Sequence, residues 1–239
     1  MSAGRRKTAS FISSAAGGGG GTGAVNWTTV TLTAANLLQD PQSILALVSY
    51  GPLQFITNTG NPGGIGGGAG NVDCPLWSWT IANPVSFTEN TQLLMQGKFT
   101  GGPNTGIFVY IGCFDGTADV NRGVYGSINM TNGNTGVGNM GANPSNGTAA
   151  AAFSASGGNF SFATNFDGSL SRPRDALMRS TSNTGPAYGE QGNSSMNPGN
   201  FAGTNLQGFF GVGTNGGASA TGGTFTGIEL QYAVVPAYV

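Results

Sequence analysis

The amino-acid sequence predicts an all-β protein, an antiparallel β-sandwich that is jelly-roll-like or lectin-like. Aromatic residues are frequent (14 Phe, 6 Tyr and 3 Trp) although only 7% of the residues are charged, and this balance favours a packed core over disorder. Lysine and glutamate are too rare to form the i,i+4 pairs that are typical of helices. Short segments with a two-residue apolar period recur between turns rich in Gly, Asn and Pro.

The first 25 residues differ from the rest of the sequence. They combine a basic cluster, Arg5 to Lys7, with the apolar pair Phe11 and Ile12 and a run of five glycines. A Gly/Ser-rich composition of this kind predicts a flexible or extended arm. The apolar part is too short and too rich in serine for an export signal. The remaining residues, 26–239, have the length of a single sandwich domain.

The domain begins with strand signals and one short helical signal. In VNWTTVTLT, Val30 and Leu32 alternate with threonines, which predicts a half-buried strand. The segment TAANLLQD, with Thr33 as its N-cap, predicts one or two helical turns. ILALVSYG and PLQFITNTG predict two strands separated by the turn residues 51–52.

The strongest strand signals lie in the middle of the chain. Trp77, Trp79 and Ile81 alternate with polar residues, so they are predicted to share a core-facing side. Residues 93–114 are predicted to form a hairpin with its turn at 101–104, and its second arm is predicted to be covered on both faces. The predicted core-facing residues of this hairpin are Leu93, Met95, Phe99, Ile107, Val109, Ile111 and Cys113, and those of the opposite face are Phe108, Tyr110 and Phe114.

The second half of the sequence contains further strand signals and one low-complexity stretch. GVYGSINM, NFSFATNF, GFFGVGT and TFTGIELQYAVVP each predict a strand. In the last of them, Ile228, Leu230, Tyr232 and Val234 are predicted to face one way, and Glu229 and Gln231 the other. Residues 131–148 have too few apolar side chains to order themselves, so they are predicted to form a long surface loop or a segment ordered by another chain.

The two cysteines allow a single pairing. Cys74 and Cys113 could form one disulfide, but two cysteines do not make a disulfide framework, and we interpret them as buried thiols. The sequence has no run of about 18 apolar residues, so we expect no membrane span.

No catalytic motif is present, and histidine is absent. Asp115, Asp119, Asp167 and Asp175 remain formal candidates for a glycosidase carboxylate pair. The two Phe-Asp-Gly sequences are explained more simply as strands that end in turns. Asp115, Asp119 and Asn121 are weak candidates for a Ca²⁺ site made of hard oxygen ligands. We therefore expect a protein that is not an enzyme and needs no cofactor, with calcium as the single open alternative.

The distribution of charged residues along the sequence indicates which binding partners the protein can have. Without Arg5, Arg6 and Lys7, the 8 basic and 9 acidic residues become 5 and 9, which leaves the body at −4. A short basic cluster on an acidic body disfavours nucleic-acid binding. The segment SRPRDALMRS concentrates three arginines, Arg172, Arg174 and Arg179. It is interpreted as a solvated loop, a subunit contact, or a ligand or phosphate contact.

Taken together, the sparse charge, the loops rich in Gly, Asn, Thr and Ser, the short strands and the N-terminal arm resemble bacteriophage virion structural proteins. The resemblance is to head decoration, tail and fibre components, and it rests on no diagnostic motif. It implies a non-enzymatic virion component that forms a homo-oligomer and attaches to other virion proteins. The expected assembly contacts are Arg5, Arg6, Lys7, Phe11, Ile12, Arg172, Arg174 and Arg179.

Two alternative functions remain at this point. One is a lectin-like receptor- or glycan-binding module, in which exposed aromatic residues and the loop at Asp115 hold a glycan. The other is a small jelly-roll coat protein with an internal basic arm.

Overall fold

The computed structural model describes residues 25–39, 45–50, 53–57, 65, 74–81, 91–102, 107–116, 122–140, 145–149, 157–167, 172–182, 188–193, 196, 198, 205–213 and 223–236. The predicted arm, residues 1–25, lies outside this part of the chain except for Val25.

The described residues form β-strands, with one 3₁₀ helix at Ala34–Asn36. The strands are, in chain order, β1 Thr28–Val30, β2 Leu37–Gln39, β3 Leu45–Tyr50, β4 Leu53–Thr57, β5 Leu76–Thr80, β6 Thr91–Phe99, β7 Phe108–Asp115, β8 Gly123–Asn129, β9 Asn134–Asn139, β10 Ser145–Ala149, β11 Gly158–Asp167, β12 Arg172–Pro173, β13 Ala176–Ser182, β14 Tyr188–Asn193, β15 Leu206–Gly213, β16 Gly223–Phe225 and β17 Glu229–Pro236. The described residues include no helix with the length and apolarity that a membrane crossing requires.

The strands assemble into two large sheets and one small sheet. The first sheet has the order β1-β17-β6-β11-β13-β14, with β12 paired to the end of β11. The second sheet has the order β10-β9-β8-β7-β15-β5-β2, and the third has the order β16-β4-β3. The pairings within all three sheets are antiparallel. The first two sheets pack face to face, which confirms the predicted antiparallel β-sandwich.

One hydrophobic core fills the space between the two large sheets. Successive side chains of a strand point to opposite faces, so each strand contributes every second residue. Representative buried members are Leu93, Met95, Phe99, Phe160, Phe162, Met178 and Leu230 of the first sheet and Trp77, Val109, Ile111, Cys113, Val124, Ile128, Phe210 and Val212 of the second. The predicted shared face of Trp77, Trp79 and Ile81 is confirmed, since all three pack in this core, although Trp79 is only partly buried.

A second apolar cluster covers the other face of the second sheet. It contains Tyr110 and Phe114 of β7, whose outward orientation was predicted, together with Tyr125 of β8. Ile65 and Cys74 pack over these rings and exclude them from solvent. The second sheet is therefore buried on both faces along β7, as the sequence predicted.

A continuous series of aromatic contacts connects all three sheets, and we call it the aromatic series. Neighbouring ring centroids are separated by 5.1–6.3 Å, within the range of favourable aromatic pairs. The series runs in the order Tyr50, Trp77, Phe210, Phe225, Phe99 and Phe160. It passes from β3 through β5, β15, β16 and β6 to β11, so each sheet contributes two rings.

The predicted hairpin of residues 93–114 is wrong in its pairing and right in its faces. β6 pairs with β17 and β11 in the first sheet, whereas β7 pairs with β15 and β8 in the second. After Phe99 the chain leaves the first sheet, and Thr100 and Gly101 pair with Thr226 instead. Both strands contribute their apolar side to one core from opposite walls. Two strands that face each other across a core have the same apolar alternation as two strands paired in a hairpin, so the sequence pattern does not distinguish these arrangements.

The predicted loop at residues 131–148 is also wrong, because this stretch contains the strands β9 and β10. Thr135 and Val137 are buried, and β9 pairs with β8 over five registered residues. The glycines permit this pairing: the ring of Tyr125 lies against the backbone of Gly138, where an added Cβ would be 3.0 Å from it. The segment has few apolar side chains of its own, and its ordered structure depends on the pairing of β9 with β8 and of β10 with β9.

Several smaller predictions have clear outcomes. The helical turn after Thr33 is a single 3₁₀ turn, in which the Thr33 N–H donates to Asn36 Oδ1 at 2.7 Å. Cys74 and Cys113 are both buried and form no disulfide, as interpreted from the sequence. They belong to clusters on opposite faces of the second sheet, which explains why they do not pair.

The contact between the sheets generates a first prediction at Gly126 of β8. A Cβ added there would lie 2.6 Å from Met178 Sδ and 3.0 Å from Met178 Cβ across the core. Gly126→Ala should therefore lower the free energy of unfolding by about 1–3 kcal/mol, the usual cost of overpacking. Urea denaturation measures this change.

Gly192→Ala is the matched control for that prediction. Gly192 also lies in a strand, but it is exposed and its nearest neighbour is Leu177 Cδ1 at 3.4 Å from an added Cβ. Its free energy of unfolding should change by no more than about 0.5 kcal/mol. Equal destabilisation by the two substitutions would contradict the proposed packing of the sheets.

Candidate functional site

The outer face of the first sheet carries an ordered array of polar side chains, and we call its central line the polar row. The inner side chains of this sheet enter the core, so the alternate ones point away from it. Strand register aligns six of these alternate residues across the whole sheet. The polar row consists of Thr29, Gln231, Gln96, Ser161, Arg179 and Glu190.

Two direct contacts hold the side chains of the polar row. Gln96 Nε2 donates a hydrogen bond to Gln231 Oε1 at 2.9 Å. Arg179 Nε donates to Glu190 Oε2 at 2.6 Å, and these two side chains are 23% and 33% exposed. A half-buried ion pair between adjacent strands is less screened by water than one that is fully exposed. The row is therefore preorganised. Gln96, Gln231, Arg179 and Glu190 are partly exposed, whereas Ser161 between them is buried.

A second polar line runs beside the polar row and is more exposed. Lys98 and Glu229 are register partners, and their ion pair measures 2.9 Å. Asn159 and Thr181 continue this line on β11 and β13, and both are exposed. The Lys98 and Glu229 side chains are 48% and 63% exposed, so their pair contributes little to stability.

An apolar line borders the polar row on its other side. Leu94 of β6 and Leu177 of β13 are half-buried there, with Ala163 of β11 between them in register. The outer face therefore combines hydrogen-bonding groups with an adjacent apolar strip. Binding sites for organic molecules commonly have this combination, because the apolar strip supplies contact area and the polar groups fix orientation.

Asp175 stabilises the end of this face. Its carboxylate accepts hydrogen bonds from the backbone N–H of Asn165 at 3.0 Å and from the Asn165 side chain at 2.9–3.0 Å. Arg174 Nε lies 3.7 Å from the same carboxylate. Asp175 is thus a structural residue that joins β11 to the start of β13.

The carboxylates proposed from the sequence do not assemble into a described site. Asp115 ends β7 and its side chain is fully buried. Residues 117–121 of the loop that follows lie outside the described residues, so the predicted glycan contact at this loop stays a prediction. Asp119, Asn121 and the Asp167 side chain lie outside the described residues. The calcium hypothesis therefore stays a prediction. Among the described residues, no three His, Cys, Asp or Glu side chains come together as a metal site would require.

The arginine-rich segment is a strand region, and its interpretation as a loop is wrong. Arg172 belongs to β12 and Arg179 to β13, while Arg174 lies exposed between them. Arg179 bonds Glu190 within the same chain. It remains a prediction that these arginines are assembly contacts, and the same holds for Arg5, Arg6, Lys7, Phe11 and Ile12. Those five N-terminal residues and the Arg172 side chain lie outside the part of the chain that the structure describes.

The sequence does not predict the polar row. It predicts that Gln231 faces away from the core, and the structure agrees, but it gives no prediction for Gln96 or Ser161. Their alternation with buried Met95 and Phe160 was a usable signal that both face outward. Which residues of different strands stand side by side depends on register, and a single sequence does not contain that information.

Among the described residues, pKa shifts are found at buried groups away from this face. Burial raises the pKa of Tyr110 and Tyr125, and the neighbouring Cys74 raises both further. Burial also raises the pKa of Cys113. The hydroxyl of Tyr125 donates to the carbonyl of Ile65 at 3.2 Å. These groups are closed into the core and the second cluster, and their shifts reflect desolvation.

Comparison with known proteins gives structural matches only. The chain matches no protein-family model and no curated protein. Lectin II from Ulex europaeus is 5% identical, with 88% of this chain and 98% of that chain covered and a TM-score of 0.47. A protein of unknown function from Shewanella oneidensis is 13% identical, with 91% and 92% covered and a TM-score of 0.49. Lectins from winged bean and Griffonia simplicifolia are also similar.

An engineered GH43 glycoside hydrolase is a further structural match. It is 8% identical, the TM-score is 0.47, and the match covers 92% of this chain but only 42% of the hydrolase. These similarities concern the architecture of a β-sandwich, which the three lectins share over nearly their whole length. They carry no information on the ligand or activity of this chain.

The buried tyrosines generate a prediction for alkaline pH. Their pKa is raised on folding, so the unfolded chain loses its phenolic protons near the ordinary value of 10.0 while the folded chain retains them. The contribution of the two tyrosines is therefore present below pH 10 and falls as the pH rises above it. Cys113, whose pKa burial also raises, adds a decline that begins near its ordinary value of 9.0. Urea denaturation between pH 7 and pH 11 measures the slope.

Tyr125→Phe removes one of the responsible groups. It should cost about 1 kcal/mol at pH 7, because the hydrogen bond to Ile65 is lost, and it should flatten the decline above pH 10. An unchanged slope in this variant would show that Tyr125 does not carry the effect.

Proposed function

We propose that this protein is a non-enzymatic, lectin-like binding module that holds a glycan on the outer face of its first sheet. The observation that supports the proposal is the polar row, a line of polar side chains aligned by strand register across six strands. All of its members except the buried Ser161 are at least partly exposed. The opposite face of this sheet lies in the core, and Asp115, which the sequence predicts as a glycan contact, is buried at the end of β7.

The chemistry of the row suits a sugar. A carboxamide has two N–H donors and a carbonyl with two lone pairs, so Gln96 and Gln231 offer more hydrogen bonds than the one that joins them. Sugar hydroxyls donate and accept, and can therefore pair with such groups at several points. The half-buried Leu94 and Leu177 lie beside the row and can contact the apolar C–H face of a sugar ring.

Preorganisation favours binding at this place. The Gln96–Gln231 and Arg179–Glu190 contacts already fix four side chains, so less conformational entropy is lost when a ligand binds. Four adjacent strands spaced by about 4.8 Å separate Gln231 from Arg179 by roughly 14 Å. That span accommodates an oligosaccharide better than a single sugar.

A virion structural role is the second candidate, and the sequence supports it. The low charge content, the basic cluster at Arg5 to Lys7 and the glycine-rich arm are those of a component that attaches to a larger particle. Glycan binding and a place in a virion are compatible, since a receptor-binding component has both. Mass spectrometry of purified particles tests the virion role independently of any glycan.

Loss of the two amides tests the proposed function. The double variant Gln96→Ala with Gln231→Ala should reduce glycan binding by about fivefold to a hundredfold, because each lost hydrogen bond is worth about 0.5–1.5 kcal/mol. A glycan array followed by titration calorimetry on the best ligand gives the measurement.

Gln207→Ala serves as the matched control. Gln207 is a partly exposed amide of the second sheet, where it bonds Thr80 and Asn205 away from the polar row. Its removal should leave binding unchanged. If the parent protein retains no glycan, or if the double variant binds as well as the control, the proposed function is wrong.

A further inference from the structure

Charge on the outer face of the first sheet is balanced at close range. In the part of this face that the structure describes, the charged side chains on the strands are Lys98, Arg179, Glu190 and Glu229. Lys98 pairs with Glu229 at 2.9 Å, and Arg179 pairs with Glu190 at 2.6 Å. Each cation thus has a carboxylate of its own on the neighbouring strand.

The Arg179–Glu190 pair has the larger influence on a ligand, because it lies in the polar row itself. The guanidinium would otherwise be the natural partner of a sugar carboxylate or sulfate, since its planar fork matches such groups. Glu190 already accepts from Arg179 Nε, and its negative charge lies beside any anion that approaches. Both side chains are only partly exposed, so water screens this repulsion less than it would at a fully exposed site.

We infer that the polar row selects uncharged oligosaccharides and that Glu190 is the residue that determines this specificity. The inference rests on the proposed function and names its ligand class. The amides of Gln96 and Gln231 bind neutral hydroxyl groups, while Glu190 neutralises Arg179 and excludes uronates and sulfated sugars by like-charge repulsion. Specificity of this kind depends on a repulsive element as much as on an attractive one.

The variant Glu190→Gln tests the inference. It keeps the size of the side chain and its ability to accept a hydrogen bond, but it removes the charge that neutralises Arg179. We expect the variant to gain binding of uronate-containing and sulfated oligosaccharides by about tenfold or more over the parent, because hydrogen bonds to a charged group are the stronger kind. The ratio of acidic to neutral oligosaccharide binding should therefore rise. The gain should diminish at high salt.

Two further variants make the result specific. Glu229→Gln removes the same charge from the same face, but Lys98 lies in the exposed second line, so its gain for acidic sugars should be several-fold smaller. The double variant Arg179→Gln with Glu190→Gln removes both charges of the pair and should bind no acidic sugar beyond the parent level. Thermal unfolding of each variant establishes that it is folded.

The possible outcomes separate this inference from the proposed function. Equal binding of neutral and acidic oligosaccharides by the parent overturns the inference and leaves glycan binding standing. Equal gains in Glu190→Gln and Glu229→Gln also overturn it, since net charge would then explain the effect. Absence of binding to any glycan by the parent overturns both.

Discussion

The aromatic series is the interaction on which the rest of the structure depends. It passes through all three sheets, and its members Trp77, Phe99, Phe210 and Phe225 are essentially inaccessible to solvent. Strand pairing alone would leave three separate sheets, because backbone hydrogen bonds act within a sheet. The rings join the sheets through apolar burial and edge or tilted contacts. The small third sheet depends on this most, since it enters the core through Leu53 and Phe225.

The candidate site is a consequence of this core. Once Met95, Phe160, Met178 and Leu230 are committed to the interior, the alternation of the strands leaves their neighbours no direction but outward. Register then places these neighbours side by side, and the polar row is the result. A shift of one residue in any strand would exchange its core and surface side chains, so the core protects the register of the site.

The sequence predicts those features of the fold that depend on local pattern, and it does not predict those that depend on contacts between distant segments. Period-two alternation gave the strands, the faces of β7 and β17 and the buried state of both cysteines, because these depend on local pattern and composition. The switch of the chain between sheets after Phe99 depends on Thr100 and Gly101 meeting Thr226, a contact between distant segments. Strands β9 and β10 were mistaken for a loop because their order comes from neighbours such as Tyr125. Gln96 was missed as a site residue because its importance lies in its partner across the sheet.

The central claim is that a glycan binds on the face of the first sheet, and NMR titration tests it most directly. Side-chain amide resonances of Gln96 and Gln231 and backbone amides of β6, β11, β13 and β17 are followed while a neutral oligosaccharide is added. We expect the largest shifts in these four strands and little effect on the second sheet. Shifts confined to the connecting segments, or to the second sheet, would contradict it.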